Sequence, residues 1–204
     1  MKLPQSYYLN NSVTQVAEDL IGKTIYTNFD NRLTAGVVVE TEAYSFKEKA
    51  CHAYNNRRTA RTETLFAEGG TSYVYLCYGI HKLFNIVTNT KDVAEAVLIR
   101  AVEPVIGQEI MFERRGITNS SQLTTGPGKL SQALGIGLAH NKLRLFGNEI
   151  WLEDNGLHPE VTIEKSPRIG VAYAREDALL PWRFTMKSNP WVSKGNNSYN
   201  PGSF

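Results

Sequence analysis

The sequence predicts a β-rich α+β protein built as a single domain. Strand-like runs separated by turn residues occupy most of the 204 residues, whereas helical spacing is confined to a few short stretches. There is no internal repeat and no convincing linker, so one sheet-based domain is the simplest arrangement. We expect it to cover residues 1–194, and residues 195–204, which are rich in Asn, Ser, Gly and Pro, to form a disordered tail.

The predicted elements begin with a helix at residues 10–22, which Ser12 or Asn11 can cap. Two strands follow at 23–29 and 33–44, joined by a turn at Asp30-Asn31, and weak helical character at 47–67 indicates one or two short helices. The later elements are a hairpin at 73–88 around Gly79, a strand at 97–102, a helix at 106–115, a polar loop at 119–128, a helix at 129–134, and short strands at 150–153, 161–164, 169–173 and 183–186.

Composition excludes several classes of protein. No apolar run approaches the roughly 20 residues of a membrane span, and the N-terminus has no apolar signal region. The two cysteines, Cys51 and Cys77, lack metal-type spacing and fit a reducing compartment. The net charge of only +2 does not by itself indicate a nucleic-acid binder.

The stretch Val-Val-Val-Glu-Thr-Glu-Ala-Tyr at 37–44 combines a strong strand signal with two carboxylates. In an extended strand, Val38, Glu40, Glu42 and Tyr44 share one face. Two interpretations remain open at this point: an edge strand with solvated glutamates, or a strand that delivers acids to a site.

The hairpin at 73–88 carries several tyrosines, and Tyr78 falls beside the Gly79 turn. An aromatic side chain at a hairpin tip can be inserted between base steps by proteins that kink duplex DNA, or it can fold back over its own hairpin. Tyr44, His52, Tyr54 and Tyr75 add flat side chains that suit a base-stacking pocket, although each can equally be a core or rim aromatic. His52 has no companion at ligand spacing, so we expect no metal site.

Basic residues are candidates for contacts with DNA phosphates, or are simply solvated surface. Arg57, Arg58 and Arg61 crowd one short segment. Residues 125–130, Thr-Gly-Pro-Gly-Lys-Leu, lack the Walker pattern, but their backbone N–H groups and Lys129 can meet a phosphate, with a purely structural cap as the alternative. Further cations stand at Arg114, Arg115, Lys142 and Arg144.

Several motifs together resemble the alkyladenine (3-methyladenine) DNA glycosylases, in order over residues 13–193. They are Val-Glu-Thr-Glu-Ala-Tyr at 39–44, His52, Tyr-Val-Tyr-Leu-Cys-Tyr-Gly at 73–79, Phe-Asn-Ile at 84–86, Leu-Ile-Arg-Ala-Val-Glu-Pro at 98–104, Gly-Pro-Gly-Lys-Leu at 126–130, Arg-Ile-Gly-Val-Ala-Tyr at 168–173, Pro-Trp-Arg-Phe at 181–184 and Asn-Pro-Trp-Val-Ser at 189–193. The sequence departs from the family around residues 55–58 and at Cys51, which leaves the local loop shape and its phosphate contacts open.

The resemblance implies a curved, mainly antiparallel, open-barrel-like sheet with peripheral helices. It implies a monofunctional enzyme without metal or cofactor, acting as a monomer on double-stranded DNA that contains damaged purines. The implied bases are 3-methyladenine and 7-methylguanine, with hypoxanthine and ethenoadenine as further candidates. It also implies a cytoplasmic, nucleoid-associated protein in a bacterium, or a nuclear one in a eukaryote.

The resemblance also assigns roles to individual residues. Glu42 is expected to activate water against C1′ of a flipped nucleotide, and Arg100 to help hold that water. Tyr44, His52 and Tyr75 are expected to sandwich the base. Asn85 is expected to crowd the purine 2-position, and Tyr78 to fill the gap left in the duplex.

Two other functions compete with this one. The first is a non-catalytic DNA-binding protein on the same scaffold. The second is a sugar hydrolase that uses Glu40 and Glu42, because same-face neighbours on a strand lie roughly 6.5–7 Å apart, within range of an inverting pair.

Overall fold

The structure is a computed structural model that describes residues 1–118, 122–156 and 161–195. Eight strands form one antiparallel sheet: β1 (Thr24–Phe29), β2 (Arg32–Ser45), β3 (Ser72–Cys77), β4 (His81–Val87), β5 (Glu95–Ile106), β6 (Ile150–Glu153), β7 (Ile163–Ser166) and β8 (Arg183–Met186). The helices are α1 (Gln5–Tyr8), α2 (Val13–Asp19), α3 (Gln108–Arg115) and α4 (Pro127–Ala133). Short 3₁₀ turns cover Tyr54–Asn56, Glu63–Phe66, Leu138–His140 and Ala172–Leu179.

The sheet is organised around β2. The strand order is β3-β4-β5-β2-β1-β6, and β8 pairs with both β2 and β7. One edge of β2 pairs with β5, while its other edge pairs first with β1 and then, at Glu40–Glu42, with β8. Because the partner changes halfway along β2, the sheet curls into a half-barrel, and the predicted β-rich, open-barrel-like α+β fold of one domain is confirmed.

Two bulges interrupt the pairing of β2 with β5. Val38 pairs with Val102 and Glu40 with Ala101, so Val39 is an extra residue on β2. Glu40 pairs with Ala101 and Thr41 with Ile99, so Arg100 is an extra residue on β5. Bulges bend a strand and redirect a side chain, and here they lie beside the two acids of β2.

The hydrophobic core covers both faces of β2, where every residue from 34 to 43 is buried. The first helix illustrates how the flanking elements are fixed. Ser12 caps α2 by accepting a hydrogen bond from the Gln15 N–H, and Thr41 on β2 donates its hydroxyl to the Ala17 carbonyl at 2.7 Å. The helix therefore packs Val13 and Val16 against the sheet.

Most predicted elements are present with shifted ends. The first predicted helix is shorter than expected. Strand β5 is longer than predicted because it continues through Pro104. Pro104 pairs with Gly36 next to a register shift, and such an irregularity in the pairing tolerates proline. The segment 47–67 forms 3₁₀ turns. Helix α1 was not anticipated, since four residues carry no periodic signal.

The predicted strand at 169–173 is wrong. Gly170 has φ +76°, and the Ile169 N–H is directed at the Glu42 carboxylate instead of a neighbouring strand. Part of the predicted 119–128 loop and residues 196–204 of the predicted tail lie outside the described residues. Within the described ranges, no helix is long and apolar enough to cross a membrane.

Candidate active site

A cavity of about 530 Å³ opens between the β3–β4 hairpin, β5 and the segments around residues 50–52 and 169–173. A volume of this size suits a small organic ligand or a base. The cavity is lined by most of the candidate site residues from the sequence analysis: Tyr44, His52, Arg61, Tyr75, Tyr78, Asn85 and Arg100. The sequence motifs, which are spread over four strands, therefore converge on one place.

One row of residues across the sheet explains this convergence. Tyr73 on β3 pairs with Asn85 on β4, and Asn85 pairs with Leu98 on β5. Leu98 pairs with Glu42 on β2, and Glu42 with Arg183 on β8. Because adjacent strands are about 4.8 Å apart, these paired residues extend across the sheet from the β3–β4 hairpin to Glu42.

Glu42 is fully buried and receives three hydrogen bonds. Its Oε1 accepts the Ile169 N–H at 2.7 Å, and its Oε2 accepts the Tyr44 hydroxyl at 2.8 Å and Arg100 Nη1 at 3.2 Å. All three donor residues line the cavity, whereas Glu42 itself lies directly behind them. The interpretation of this strand as a solvated edge is therefore wrong.

Glu40 supports the site from behind. Its Oε1 accepts Arg100 Nε and Arg183 Nε, each at 2.8 Å, and the Ser193 hydroxyl at 2.9 Å, while Oε2 accepts the Ser193 N–H at 2.8 Å. Burial on its own raises the pKa of Glu40, but the charges of Arg100 and Arg183 outweigh it, and the pKa lies below its ordinary value. With both acids fully buried, this pair offers no open acid–base cleft for a sugar.

Arg100 connects the two carboxylates, and its side chain is nearly fully buried. Burial disfavours the cation, yet Glu42 and Glu40 together raise the pKa of Arg100 above its ordinary value. The guanidinium therefore stays charged. The bulge on β5 places it where it reaches both acids and the cavity.

The aromatic wall of the cavity is formed by His52, Tyr73 and Tyr75. The Tyr73 and Tyr75 rings are stacked at 5.4 Å, and His52 meets Tyr75 edge-on at 4.6 Å. His52 Nδ1 lies 3.0 Å from the Tyr73 hydroxyl. Burial, with a smaller effect from Arg61, lowers the pKa of His52 to about 4, so this ring is neutral near neutral pH.

Tyr44 is backed by a buried ion pair that sequence reasoning missed. The Arg168 guanidinium lies 4.7 Å from the Tyr44 ring centroid and binds both oxygens of Glu48, at 2.9 and 2.7 Å. It also donates to the Ala43 carbonyl at 2.8 Å. The only signal in the sequence was the presence of Arg168 in a motif that resembles the glycosylase family.

Tyr78 projects from the tip of the β3–β4 hairpin and is 88% exposed. The Ile80 N–H closes a turn on the Cys77 carbonyl, and Tyr78 and Gly79 both have left-handed backbone, with φ of +50° and +72°. This conformation suits Asn or Gly and is unusual for a bulky aromatic. The alternative in which the tyrosine folds back over the hairpin is therefore wrong.

The predicted phosphate-contacting residues differ in their surroundings. Arg57 is exposed, and Arg61 lines the cavity and lies 5.5 Å from the Tyr75 ring. Arg58 is paired with Glu63 and Asp92, at 2.7 and 2.8 Å. Lys129, on α4, contacts the Gln122 side chain and is not among the residues that line the cavity.

The Pro-Gly pair that precedes Lys129 has a structural role. Pro127 occupies the first turn of α4, and a Cβ at Gly128 would lie 2.9 Å from the His81 ring, so the glycine allows the helix to approach the hairpin. Among the residues with described positions, no cluster of three His, Cys, Asp or Glu side chains could hold a metal ion.

Comparisons with known proteins show the family to which this chain is related. The model of the methylpurine-DNA glycosylase family matches residues 7–190. A Chlamydia felis (strain Fe/C-56) protein named "Putative 3-methyladenine DNA glycosylase" is 43% identical over 187 residues, which cover 90% of this chain and 95% of that protein. A protein of the same name from Francisella tularensis subsp. tularensis (strain SCHU S4 / Schu 4) is 41% identical over 181 residues, with 87% and 92% covered. The chain belongs to the methylpurine-DNA glycosylase family.

Proposed function

We propose that this protein is a monofunctional DNA glycosylase that removes alkylated purines from duplex DNA and leaves an abasic site. One observation carries the proposal: Arg100, at the wall of an aromatic cavity, contacts Glu42 directly behind that wall, and an exposed tyrosine stands at the cavity's rim. The proposed substrates are 3-methyladenine and 7-methylguanine, with hypoxanthine and ethenoadenine as further candidates. The relatives named above are bacterial; such a glycosylase acts in the cytoplasm, at the nucleoid, if its source is a bacterium, and in the nucleus if its source is a eukaryote.

The proposed reaction is hydrolysis of the N-glycosidic bond. A water oxygen bonds to C1′ while the C1′–N9 bond breaks and its electron pair passes to the purine. A purine alkylated at N3 or N7 is positively charged before the step and leaves neutral. Glu42 takes the proton from the water as general base, and Arg100 together with the Ile169 N–H keeps the carboxylate oriented.

Access to Glu42 requires a local rearrangement. Tyr44 donates its hydroxyl to Glu42 Oε2 and lies between this carboxylate and the cavity. A base that stacks on Tyr44 would bring C1′ to the same wall, and a small movement of the phenol would admit water to the carboxylate. The hydrogen bond at 2.8 Å thus couples base binding to exposure of the catalytic group.

Selection of the base begins with charge. Cationic purines are attracted to electron-rich ring faces, and His52, which is neutral near neutral pH, does not repel them. Asn85 is 4% exposed, and its Nδ2 donates to the Tyr73 and Leu83 carbonyls, at 3.2 and 3.4 Å. A side chain fixed in this way can exclude the 2-amino group of normal guanine.

Extrusion of the nucleotide costs a few kcal/mol, least for a damaged or mispaired base. Tyr78 occupies the resulting gap in the duplex in this proposal, and its exposure and left-handed backbone support the role. Strain retained at an exposed side chain is typical of functional positions.

The decisive experiment compares base release by the wild-type protein and Glu42→Gln on duplexes that carry each alkylated purine. Loss of a general base predicts a fall of roughly 100-fold or more, with lesion binding largely retained. The matched control is Glu164→Gln, which removes an exposed carboxylate on β7. Undiminished release by Glu42→Gln would overturn the proposed catalytic base. Lesion binding by the wild type without any release would favour the non-catalytic DNA-binding protein.

A further inference from the structure

The cavity of about 530 Å³ described above is called the base pocket from here on. A second cavity, of about 310 Å³, lies beside it, and four of the residues that line this second cavity are basic. We call it the basic groove and define it by Arg58, Lys91, Lys142, Arg144, Glu63 and Thr71. The lining contains four cations and one carboxylate, Glu63, and a second carboxylate, Asp92, pairs with Arg58 at 2.8 Å, in a protein whose net charge is only +2. The groove therefore carries a local excess of basic charge, although most of the 22 lysines and arginines of the chain lie elsewhere.

Most of this charge is not neutralised by the protein. Arg58 is held between Glu63 and Asp92, and Arg144 donates to the Thr71 hydroxyl at 3.1 Å. In the described parts of the chain, Lys91 and Lys142 make no hydrogen bond or ion pair through their side chains, and both are exposed. The charge of Lys142 acts on Glu63, whose pKa is lowered mainly by Arg58 and also by Lys142. The remaining excess of positive charge raises the local concentration of anions.

The wall that carries two of these cations is fixed to the sheet. Thr71 and Arg144 form an isolated antiparallel bridge, and the Lys142 N–H donates to the Ser72 carbonyl at 2.9 Å. Lys142 and Arg144 therefore stand on backbone that is tied to the start of β3. The same strand leads to Tyr75 and the base pocket.

The basic groove is separated from the base pocket by one 3₁₀ turn, Glu63–Phe66. Leu65 lines the base pocket, whereas Thr64 and Phe66 line the basic groove. A helical segment with its side chains is about 10 Å thick, and stacked base pairs rise about 3.4 Å per step. The groove is therefore within reach of phosphates roughly three steps from a nucleotide held in the pocket.

We propose that the basic groove binds the phosphodiester backbone of the substrate DNA on one side of the extruded nucleotide. This inference rests on the proposed function, because it places the lesion in the base pocket. The basic groove and the base pocket are connected through the turn Glu63–Phe66, and they have no lining residue in common. We therefore expect the groove to contribute to DNA affinity and not to the choice of base or to the chemical step. Phosphate contacts of this kind are independent of sequence and depend on salt.

The test uses Lys91→Ala/Lys142→Ala, because both side chains are exposed and, among the described residues, make no direct hydrogen bond or ion pair, so their removal should leave the protein folded. Each phosphate contact adds about 0.9 to the slope of log affinity against log salt, so the double variant should lower that slope by roughly 2 on a long lesion-containing duplex. Single-turnover base release at saturating protein should not change. The matched control, Lys187→Ala/Lys194→Ala, removes the same charge from exposed lysines elsewhere and should keep the wild-type slope.

Duplex geometry makes the test sharper. Shortening the duplex to about three base pairs or fewer on one side of the lesion should abolish the difference between the double variant and the wild type, and shortening the other side should not. A wild-type slope for the double variant on long duplexes would overturn the proposal. A second outcome would also overturn it: the double variant loses the binding of inorganic pyrophosphate but keeps the wild-type salt slope on DNA. That result would show that the groove is a site for small anions.

The outcomes for the groove and for the proposed function are separable. Base release by Glu42→Gln tests the chemistry without reference to Lys91 or Lys142. The salt slope on lesion-containing and lesion-free duplexes tests the groove even if no base is released.

Discussion

Glu40 and Glu42 share one guanidinium, since Arg100 donates Nε to Glu40 at 2.8 Å and Nη1 to Glu42 at 3.2 Å. The two acids are therefore not equivalent. The oxygens of Glu40 are occupied by Arg100, Arg183 and Ser193, whereas Glu42 is covered by groups that also face the cavity. Glu40 fixes the arginine, and the arginine in turn fixes the orientation of Glu42.

Glu40→Gln should destabilise the fold at neutral pH. Removal of one partner from a buried charge network costs about 3–5 kcal/mol, and here the ion pairs of Glu40 with Arg100 and Arg183 are lost, which leaves Arg100 paired with Glu42. Denaturant unfolding at neutral pH measures the difference. The exposed control Glu164→Gln should lie within about 0.5 kcal/mol of wild type, and equal stability of Glu40→Gln and wild type would contradict the role of Glu40.

The same variant gives a pH prediction. The pKa of Glu40 is lowered from 4.5 in the folded state, so its stabilising contribution is complete above that value and is lost as pH falls through the folded pKa. The stability gap between wild type and Glu40→Gln should therefore narrow as the pH falls below about 4.5. A gap that stays constant into acid would show that the charge of Glu40 does not provide the stability.

The pair Arg168–Glu48 should matter far more than an exposed pair. Arg168→Met leaves the buried Glu48 carboxylate without its cation, and we expect a loss of about 3–5 kcal/mol in unfolding free energy. The comparison is Arg32→Met, which breaks the exposed Arg32–Glu113 pair and should cost less than about 1 kcal/mol. Equal costs for the two substitutions would show that burial of the pair beneath Tyr44 has no energetic consequence.

Tyr78 should be dispensable for folding and required on duplex DNA. Tyr78→Asn should keep or raise stability by up to about 1 kcal/mol, because Asn tolerates the left-handed backbone at φ +50°. Both Tyr78→Asn and Tyr78→Ala should weaken binding to lesion duplex more than to single strands, as titrations on the two substrates would show. Leu179→Ala, also at an exposed apolar side chain, is the control. Equal losses on duplex and single strand would argue against insertion of Tyr78.

The sequence predicted the parts of the site that depend on local pattern. Alternation along β2 placed Glu40 and Glu42 on one face, and both contact Arg100. The turn at Gly79 placed Tyr78 at the tip of the hairpin, but the sequence left open whether its side chain is exposed or folds back, and the structure shows it exposed.

Other parts depend on distant packing and leave no periodic signal. The bulge that redirects Arg100 is a mismatch between two strands, which neither strand reveals alone. Ser193 reaches Glu40 across 153 positions of sequence. The strand signal at 169–173 failed because the Ile169 N–H satisfies a buried carboxylate rather than a neighbouring strand.

His52 should titrate far below an ordinary histidine. Burial, and secondarily the charge of Arg61, lower its pKa from 6.5 to about 4, and a ring-nitrogen NMR titration would measure this midpoint directly. Arg61→Ala should raise the pKa of His52 but keep it below 6.5, because burial is the larger cause. Arg57→Ala removes an exposed arginine from the same segment and should leave the midpoint unchanged.

The low pKa of His52 also has a consequence for stability. Between 6.5 and about 4 the unfolded chain binds a proton that the folded His52 does not, so this residue lowers stability progressively as the pH falls through that window. Above 6.5 the ring is neutral in both states and contributes nothing to the pH dependence. His52→Gln should therefore flatten the stability curve between these values. A His52 resonance that titrates near 6.5 would mean that the ring carries positive charge near neutral pH, where it would repel the cationic purine that the pocket is proposed to hold.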